Sequence, residues 1–423
     1  PVYQRHPCHN YASLLMARQK SFRVPRPNAF LYYTAGFITG LYYRWVYGLR
    51  VDRSAIKGIK PPFIVIAGHT SWLDFLTVTI ALYPRRMNYL AAYNFYRYRA
   101  LKFLLGLMGV IPKYQFTSDT RAIIKAKNVI SRNGIVAILP HGCLSNDGRP
   151  GGFAASSTAK LIKMFKVPVI AVHINGGYLT RPRWTKRARR GRIDITVTRI
   201  LDSRELSLLS TDDIYRRVLN AIDFDDYRWQ RKNNVTFRGR RLAEGAELVL
   251  YRCPKCNAEF TMRSSENRLF CLNCNNEAIM NNKLFFEQSG EESVIYDGFD
   301  NWYDFQQKSL LAEIHDPEFR LSATTALLWN EPGKYGYQYM GHGNLSLTRD
   351  AVIYEGKVFE KTERLYFDMK DILMVPFAAG DYFEIAEGPE IRRFKLDDLR
   401  MMMKWVLAIR LIRDKFYEKM PEP

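Results

Sequence analysis

The chain has 423 residues, 47% of them hydrophobic and 25% charged, the balance of a folded protein with room for two or three domains and a sizeable core rather than of a disordered or low-complexity chain. A formal charge of +21 predicts attraction to something anionic, whether nucleic acid, an acidic membrane surface or a phosphorylated small molecule. Aromatic residues make up 14% of the chain and crowd near its apolar runs, which fits a membrane-interface protein better than a nucleic-acid binder.

Residues 1–27 are polar, basic and proline-containing and read as an arm. The first thirty residues carry several arginines and no apolar core segment, so no secretory leader is expected and the chain is expected inside the cell. Asn28 to Tyr43 is uncharged, carries Tyr32, Tyr33, Tyr42 and Tyr43, and ends at Arg44. It falls short of the ~20 apolar residues that a spanning helix needs. It reads as a membrane-associating helix lying in or dipping into one leaflet, peripheral or monotopic, with an ordinary buried helix as the alternative. Residues 1–50 form this first unit.

Phe63 to Asp74 reads FIVIAGHTSWLD. Phe63 to Ala67 is an apolar, partly β-branched run that predicts a buried strand ending at Gly68. His69 follows, and Ser71 with Asp74 has the spacing of a helix capping box, so the stretch reads strand, histidine, helix start. A reactive imidazole held by Asp74 across one turn is one reading; a loop histidine and a cap is the other. An apolar helix from Phe75 to Tyr83, an aromatic and basic run from Tyr89 to Tyr98 and an apolar stretch from Leu101 to Met108 come next. With Arg85, Arg86, Arg97, Arg99 and Lys102 among them, they suit either a core or a surface pressed against anionic headgroups.

Gly109 to Lys113 predicts a second strand, Thr117 to Ser131 a helix, Ile135 to Leu139 a third strand, Ser157 to Phe165 a helix and Val167 to Ile174 a fourth strand. This alternation predicts the α/β class with a layered sheet, in which ligands gather where strands end and loops begin. His173, inside the last strand, reads as a core residue, and His141 beside Cys143 is a poor candidate for a Cys/His pair.

Four blocks along this region come in the order and approximate spacing of the PlsC-type glycerol-3-phosphate and lysophosphatidic acid acyltransferases, which residues 27–245 therefore resemble. They are His69-Thr-Ser-Trp-Leu-Asp74; Gly109-Val-Ile-Pro-Lys113; Leu139-Pro140-His141-Gly142-Cys143-Leu144-Ser145; and Val167-Pro-Val-Ile-Ala-Val172. The third is similar to an aromatic-Pro-Glu-Gly-x-Arg-Ser block, with His141 at the glutamate and Leu144 at the arginine. Lys113 stands where the family usually has arginine, which keeps the charge and loses the bidentate fork.

The resemblance implies an O-acyltransferase domain over residues 51–245, with His69 as general base and Asp74 orienting it. It implies Lys113, His141, Gly142 and Ser145 as substrate-binding positions, and with the third block altered, Arg149, Arg181, Arg183 or the run Lys186 to Arg192 become candidates for phosphate contacts. The donor would be an acyl thioester, acyl-CoA or acyl carrier protein, and the acceptor a hydroxyl of a lysophospholipid or glycerol phosphate, met at the cytoplasmic face of an anionic membrane. Nucleic acid is not an expected partner. A degenerate domain that binds lipid or scaffolds other proteins is the alternative, on the strength of His141 and Leu144.

The chemistry can be stated without the family. A neutral imidazole with a pKa near ~6.5 takes a proton from an alcohol at neutral pH, and a carboxylate on its other nitrogen fixes the tautomer.

After Leu242 the pattern changes. Cys253 and Cys256, then Cys271 and Cys274, form two CxxC knuckles with the spacing of a four-cysteine zinc ribbon over residues 246–285. Closed thiolate coordination predicts a structural zinc, in a reducing compartment, with a docking or bracing role. Residues 286–318 read as a linker with a helix. From residue 319 to 423, strands are expected over 320–329, 343–348, 352–355, 372–375 and 382–385, with a helix from Leu396 to Tyr417. A small β-sandwich capped by a C-terminal helix resembles the PH or GRAM class at the level of fold alone.

Overall fold

The computed structural model describes residues 23–114, 119–151, 154–330, 336–387 and 390–418, so most of the expected N-terminal arm lies outside the described residues. Helix α1 (Ala29–Tyr47) starts at Asn28, whose side chain accepts from Leu31 N at 3.0 Å, and ends at Gly48 in the left-handed region. It leads into β1 (Arg50–Asp52) and β2 (Phe63–Ala67). All five β2 residues are buried, as a strand covered on both faces requires. The first half continues through α2 (Asp74–Leu82), β3 (Asn88–Ala92), α3 (Arg99–Leu107), β4 (Ile111–Lys113), α4 (Thr120–Ser131), β5 (Ile135–Ile138), α5 (Ser157–Phe165) and β6 (Val169–Asn175). A helical turn α6 (Gly177–Thr180), β7 (Asp194–Leu201), α7 (Thr211–Ile222) and α8 (Asp226–Asn233) complete it.

These strands form one sheet in the order β1-β7-β6-β2-β5-β3-β4. β2 pairs in parallel with β6 and β5, β5 with β3, and β3 with β4, while β7 runs antiparallel to β6. Apolar clusters lie on both faces: Ile64, Ile66 and Val136 face α4, α5 and α7, and Phe63, Val65 and Ala137 face α1 and α2. The carboxyl ends of β2, β5, β3 and β4 therefore share one edge of the sheet.

The second half holds an antiparallel sheet in the order β11-β10-β9-β8, with β8 (Met262–Ser265), β9 (Arg268–Cys271), β10 (Glu277–Met280) and β11 (Phe286–Gln288). Helix α9 (Phe299–His315) follows. The last unit has β12 (Leu321–Trp329), β13 (Gln338–Leu347), β14 (Ala351–Val358), β15 (Lys361–Asp368), β16 (Phe377–Ala378), β17 (Tyr382–Glu387), β18 (Glu390–Leu396) and α10 (Met402–Glu418). Its seven strands hydrogen-bond continuously in the order β15-β14-β13-β12-β18-β17-β16. The expected strand at 372–375 is instead an extended segment outside the sheet, and β15 and β18 are strands that the apolar pattern did not show.

One hydrophobic cluster runs from Tyr178 and Trp184 through Tyr251 and Trp302 to Trp405 and Ile412. The cysteine-bearing sheet, α9 and the last unit are thus packed on the first half through a continuous core.

Candidate active site and cysteine cluster

β2 delivers His69 two residues beyond its last strand position, at the carboxyl edge of the sheet. His69 Nδ1 lies 2.7 Å from Asp74 Oδ2. Thr70 Oγ1 donates to Asp74 Oδ1 at 2.7 Å, and Ser71 donates through its N (2.9 Å) and its Oγ (3.2 Å). Asp74 is 1% exposed, whereas the His69 side chain is 27% exposed. A buried carboxylate with this many donors is an acceptor only, so Nδ1 carries the hydrogen and Nε2 is the free base. The helix begins at Asp74 itself, with Leu73 at the cap position and no side-chain cap. Ser71 is therefore not the cap that its spacing suggested; the carboxylate folds back onto Ser71 and holds the histidine.

Behind the dyad, the turn after β6 packs closely: a Cβ on Gly177 would lie 2.4 Å from Thr70 Oγ1. That turn is held by the buried Asp226, which accepts from Gly176 N at 2.9 Å, Tyr178 N at 2.9 Å and Leu179 N at 3.4 Å. Sequence reasoning singled out none of Thr70, Gly177 and Asp226; a threonine beside the histidine was the one local signal available.

His141, Gly142 and Ser145 follow β5 on the same edge, and Ser145 N donates to His69 O at 3.2 Å. Ser145 Oγ accepts from Gly148 N at 2.9 Å and donates to Arg149 O at 2.6 Å, so the hydroxyl is spent on the turn. His141 is 4% exposed, lies edge-on to Phe224, and its Nδ1 is buried without a partner. Burial, with a smaller push from the charge of His69, holds its pKa down to about 4. Lys113 ends β4, three strands from β2 or ~14 Å by strand spacing. Burial lowers its pKa against the pull of Asp119. Arg149 donates to Asp147 and to Asp304 of α9, with Nη1 3.0 Å from Asp304 Oδ2. Arg183 is turned toward Leu144 O and Phe377 O, and Arg189 donates to Leu179 O and Leu242 O.

The sulfurs of Cys253, Cys256, Cys271 and Cys274 all lie within 4.8 Å of one another, a group that could hold a metal ion. Asn257 and Asn275, one residue past each knuckle, adopt φ of 58° and 55°. Each closes the turn by donating to the first cysteine's carbonyl, at 3.0 and 2.9 Å. Asparagine tolerates this left-handed backbone better than most residues.

Residues 48–175 match the family model described as Acyltransferase. The matched segment runs from the end of α1 to the end of β6 and contains His69, Asp74, Lys113, His141, Gly142, Ser145 and Arg149. Among solved structures, the 1-acyl-sn-glycerophosphate (LPA) acyltransferase PlsC from Thermotoga maritima aligns with 46% of this chain and 78% of its own, at 17% identity and a TM-score of 0.40. No curated protein matches the sequence.

The neutral, buried His141 has a pH consequence. Its folded pKa lies below the unfolded value near ~6.5, so the stability it carries is present above pH ~6.5 and is lost as pH falls toward 4. The loss is on the order of 3 kcal/mol. The thermal midpoint of the wild type is expected to fall more steeply between pH 6.5 and 4.5 than that of His141→Gln; parallel curves would remove His141 as the cause.

Proposed function

We propose that this protein is a membrane-associated acyltransferase that moves a fatty acyl group from an acyl thioester, on CoA or a carrier protein, to a hydroxyl of a lysophospholipid or glycerol phosphate. The observation that carries the reading is the 2.7 Å contact of His69 Nδ1 with a buried carboxylate, inside the segment that matches the acyltransferase family. In this reading Nε2 takes the proton of the acceptor hydroxyl as its oxygen bonds to the thioester carbonyl carbon. The tetrahedral intermediate then collapses, the carbon–sulfur bond breaks, and the imidazolium returns the proton to the leaving thiolate. Asp74 stabilises the imidazolium and does not itself take the proton. Lys113, the one lysine or arginine in the four blocks, would meet a phosphate.

The membrane part of the reading rests on one exposed surface. α3 has no buried residue, and its Phe103 is 71% exposed. On α1, Phe30 is 79% and Trp45 84% exposed. Asn28 N donates to Leu107 O at 2.9 Å, which joins the start of α1 to the end of α3. Exposed Trp72 and Phe75 flank the dyad. Arg99 and Lys102 are exposed on α3, so an apolar face rimmed by cations is offered to an anionic bilayer. No helix among the described residues is long and apolar enough to cross a membrane, which supports association from one face, the cytoplasmic one in this reading.

The four cysteines would hold a structural zinc. Cys253 and Cys274 Sγ are 3.7 Å apart, and Cys256 and Cys271 Sγ 3.8 Å, the S···S edge of ~3.8 Å that tetrahedral Zn–S bonds of ~2.3 Å require. Thr261 Oγ1, 3.2 Å from Cys271 Sγ, adds an outer contact. The competing reading, a domain that binds lipid without turning it over, is favoured by the occupied Arg149 and the neutral His141.

Purified protein with acyl-CoA and a panel of lysophospholipids is expected to release free thiol, and His69→Ala to lower the rate by about 100- to 10,000-fold. Lipid binding with no thiol release on any acceptor would establish the competing reading. Trp45→Glu combined with Phe103→Glu is expected to weaken binding to phosphatidylglycerol vesicles by about tenfold or more with unchanged circular dichroism; unchanged binding would move the membrane surface elsewhere. Metal analysis should find one zinc per chain, and chelation should lower the thermal midpoint by about 10 °C or more. A chain that purifies without zinc at full stability would overturn the structural role.

A further inference from the structure

The loop from His141 to Gly151 is gripped from outside its own domain. Arg183 stands at the centre: its guanidinium donates to Leu144 O at 3.2 Å, to Asn146 Oδ1 at 3.0 Å and to Phe377 O, and it lies 3.6 Å from the centroid of the Phe377 ring. Asn146 in turn donates to Tyr303 OH at 3.2 Å, Arg149 pairs with Asp304, and Cys143 Sγ lies 4.0 Å from Val375 O. Tyr303 and Asp304 belong to α9, and Val375 and Phe377 to the segment leading from β15 into β16.

This segment is apolar for a reason other than strand formation. Ile372, Met374 and Val375 are buried outside the sheet, and Arg413 of α10 donates to Leu373 O at 2.7 Å. Between loop and segment a cavity of only ≈ 20 Å³ remains, lined by Cys143, Asn146, Phe377 and Arg410 among others. That is room for about one water, so the two surfaces are packed closely against each other. Burial lowers the pKa of Arg183 to about 10, which leaves it charged at neutral pH. A buried charge with carbonyl acceptors on both sides is costly to leave unpaired, so the grip is held as a unit.

The grip reaches the dyad in two steps. Arg183 holds the carbonyl of Leu144, and the amide of the next residue, Ser145, holds the carbonyl of His69. We propose that Arg183 is a positioning residue that ties the Ile372–Phe377 segment of the C-terminal unit to the His141–Gly151 loop and, through Ser145, to His69, so that the acceptor side of the site forms only when the C-terminal unit is seated. The kinetic part of this rests on the acyltransferase reading; the structural part does not.

Two measurements on the 423-residue chain as purified test it. The first is amide hydrogen exchange over residues 141–151 together with alkylation of Cys143 by N-ethylmaleimide, followed by peptide mass spectrometry. Arg183→Met and the milder Phe377→Leu are expected to accelerate both by about tenfold, with peptides from β2 and β5 unchanged. Arg183→Lys is expected to recover part of the protection, since an ammonium can still meet two carbonyls. Wild-type exchange and labelling in both variants would overturn the proposal. So would acceleration spread evenly over the protein, which would reduce Arg183 to a general stabiliser.

The second is acyl transfer. Arg183→Met is expected to raise the acceptor KM about tenfold or more with the donor KM unchanged, and equal changes in both would count against a positioning role. A wild type that transfers no acyl group defeats the functional reading while the exchange experiment still decides the proposal.

Discussion

The first half is organised around the cost of burying the Asp74 carboxylate. An ionised group at 1% exposure has to be compensated locally, and the chain does so within five residues: an imidazole, two hydroxyls and a backbone amide converge on two oxygens. That demand fixes where β2 must stop, why α2 starts at Asp74 without a side-chain cap, and why the turn after β6 must come as close as Gly177 does to Thr70. It also makes the histidine directional. With Nδ1 committed inward, Nε2 is the remaining basic nitrogen of a side chain that is 27% exposed at the carboxyl edge.

Parts of this were legible in the sequence and parts were not, for identifiable reasons. FIVIA has one physical solution, a strand buried on both faces, and that strand spans Phe63–Ala67 as expected. The expected helix Ser157 to Phe165 also appears at those residues. Aromatic residues hid β3, since Tyr89 to Tyr98 read as an aromatic and basic run suited to either core or surface, with no strand assigned, although Asn88–Ala92 pairs with β5 and β4. β15 and β18 were hidden by charge: Lys361, Glu363 and Arg364 are exposed on an edge strand. In the other direction, Ile372 to Val375 has a strand's composition, but Met374 and Val375 face a loop and a helix rather than a pleated neighbour, and Leu373 is exposed.

The site shows the same division between near and distant. His69 and Asp74 are five residues apart, so their relation could be argued from spacing. Arg149 and Asp304 are 155 apart, and nothing in the sequence around Arg149 announces a carboxylate from another unit. A free cation expected to meet phosphate is thereby engaged inside the protein. The two CxxC knuckles were legible because thiolate geometry restricts their spacing, and the left-handed asparagines after each are the detail that the spacing alone does not convey.

α3 gives the molecule an unusual thermodynamic boundary. A nine-residue helix with only half-buried Leu101 and Leu105 turned inward gains little from a core, and helices this short are marginal in water on their own account. The free energy that keeps it wound has to come from whatever it rests on, so a lipid surface would act as a missing layer of the fold rather than as an external partner. Because α3 runs directly into β4, ordering that helix also orders the strand whose last residue is Lys113. Under the proposed membrane association, arrival at the bilayer would then steady the helix and the basic end of the catalytic edge together.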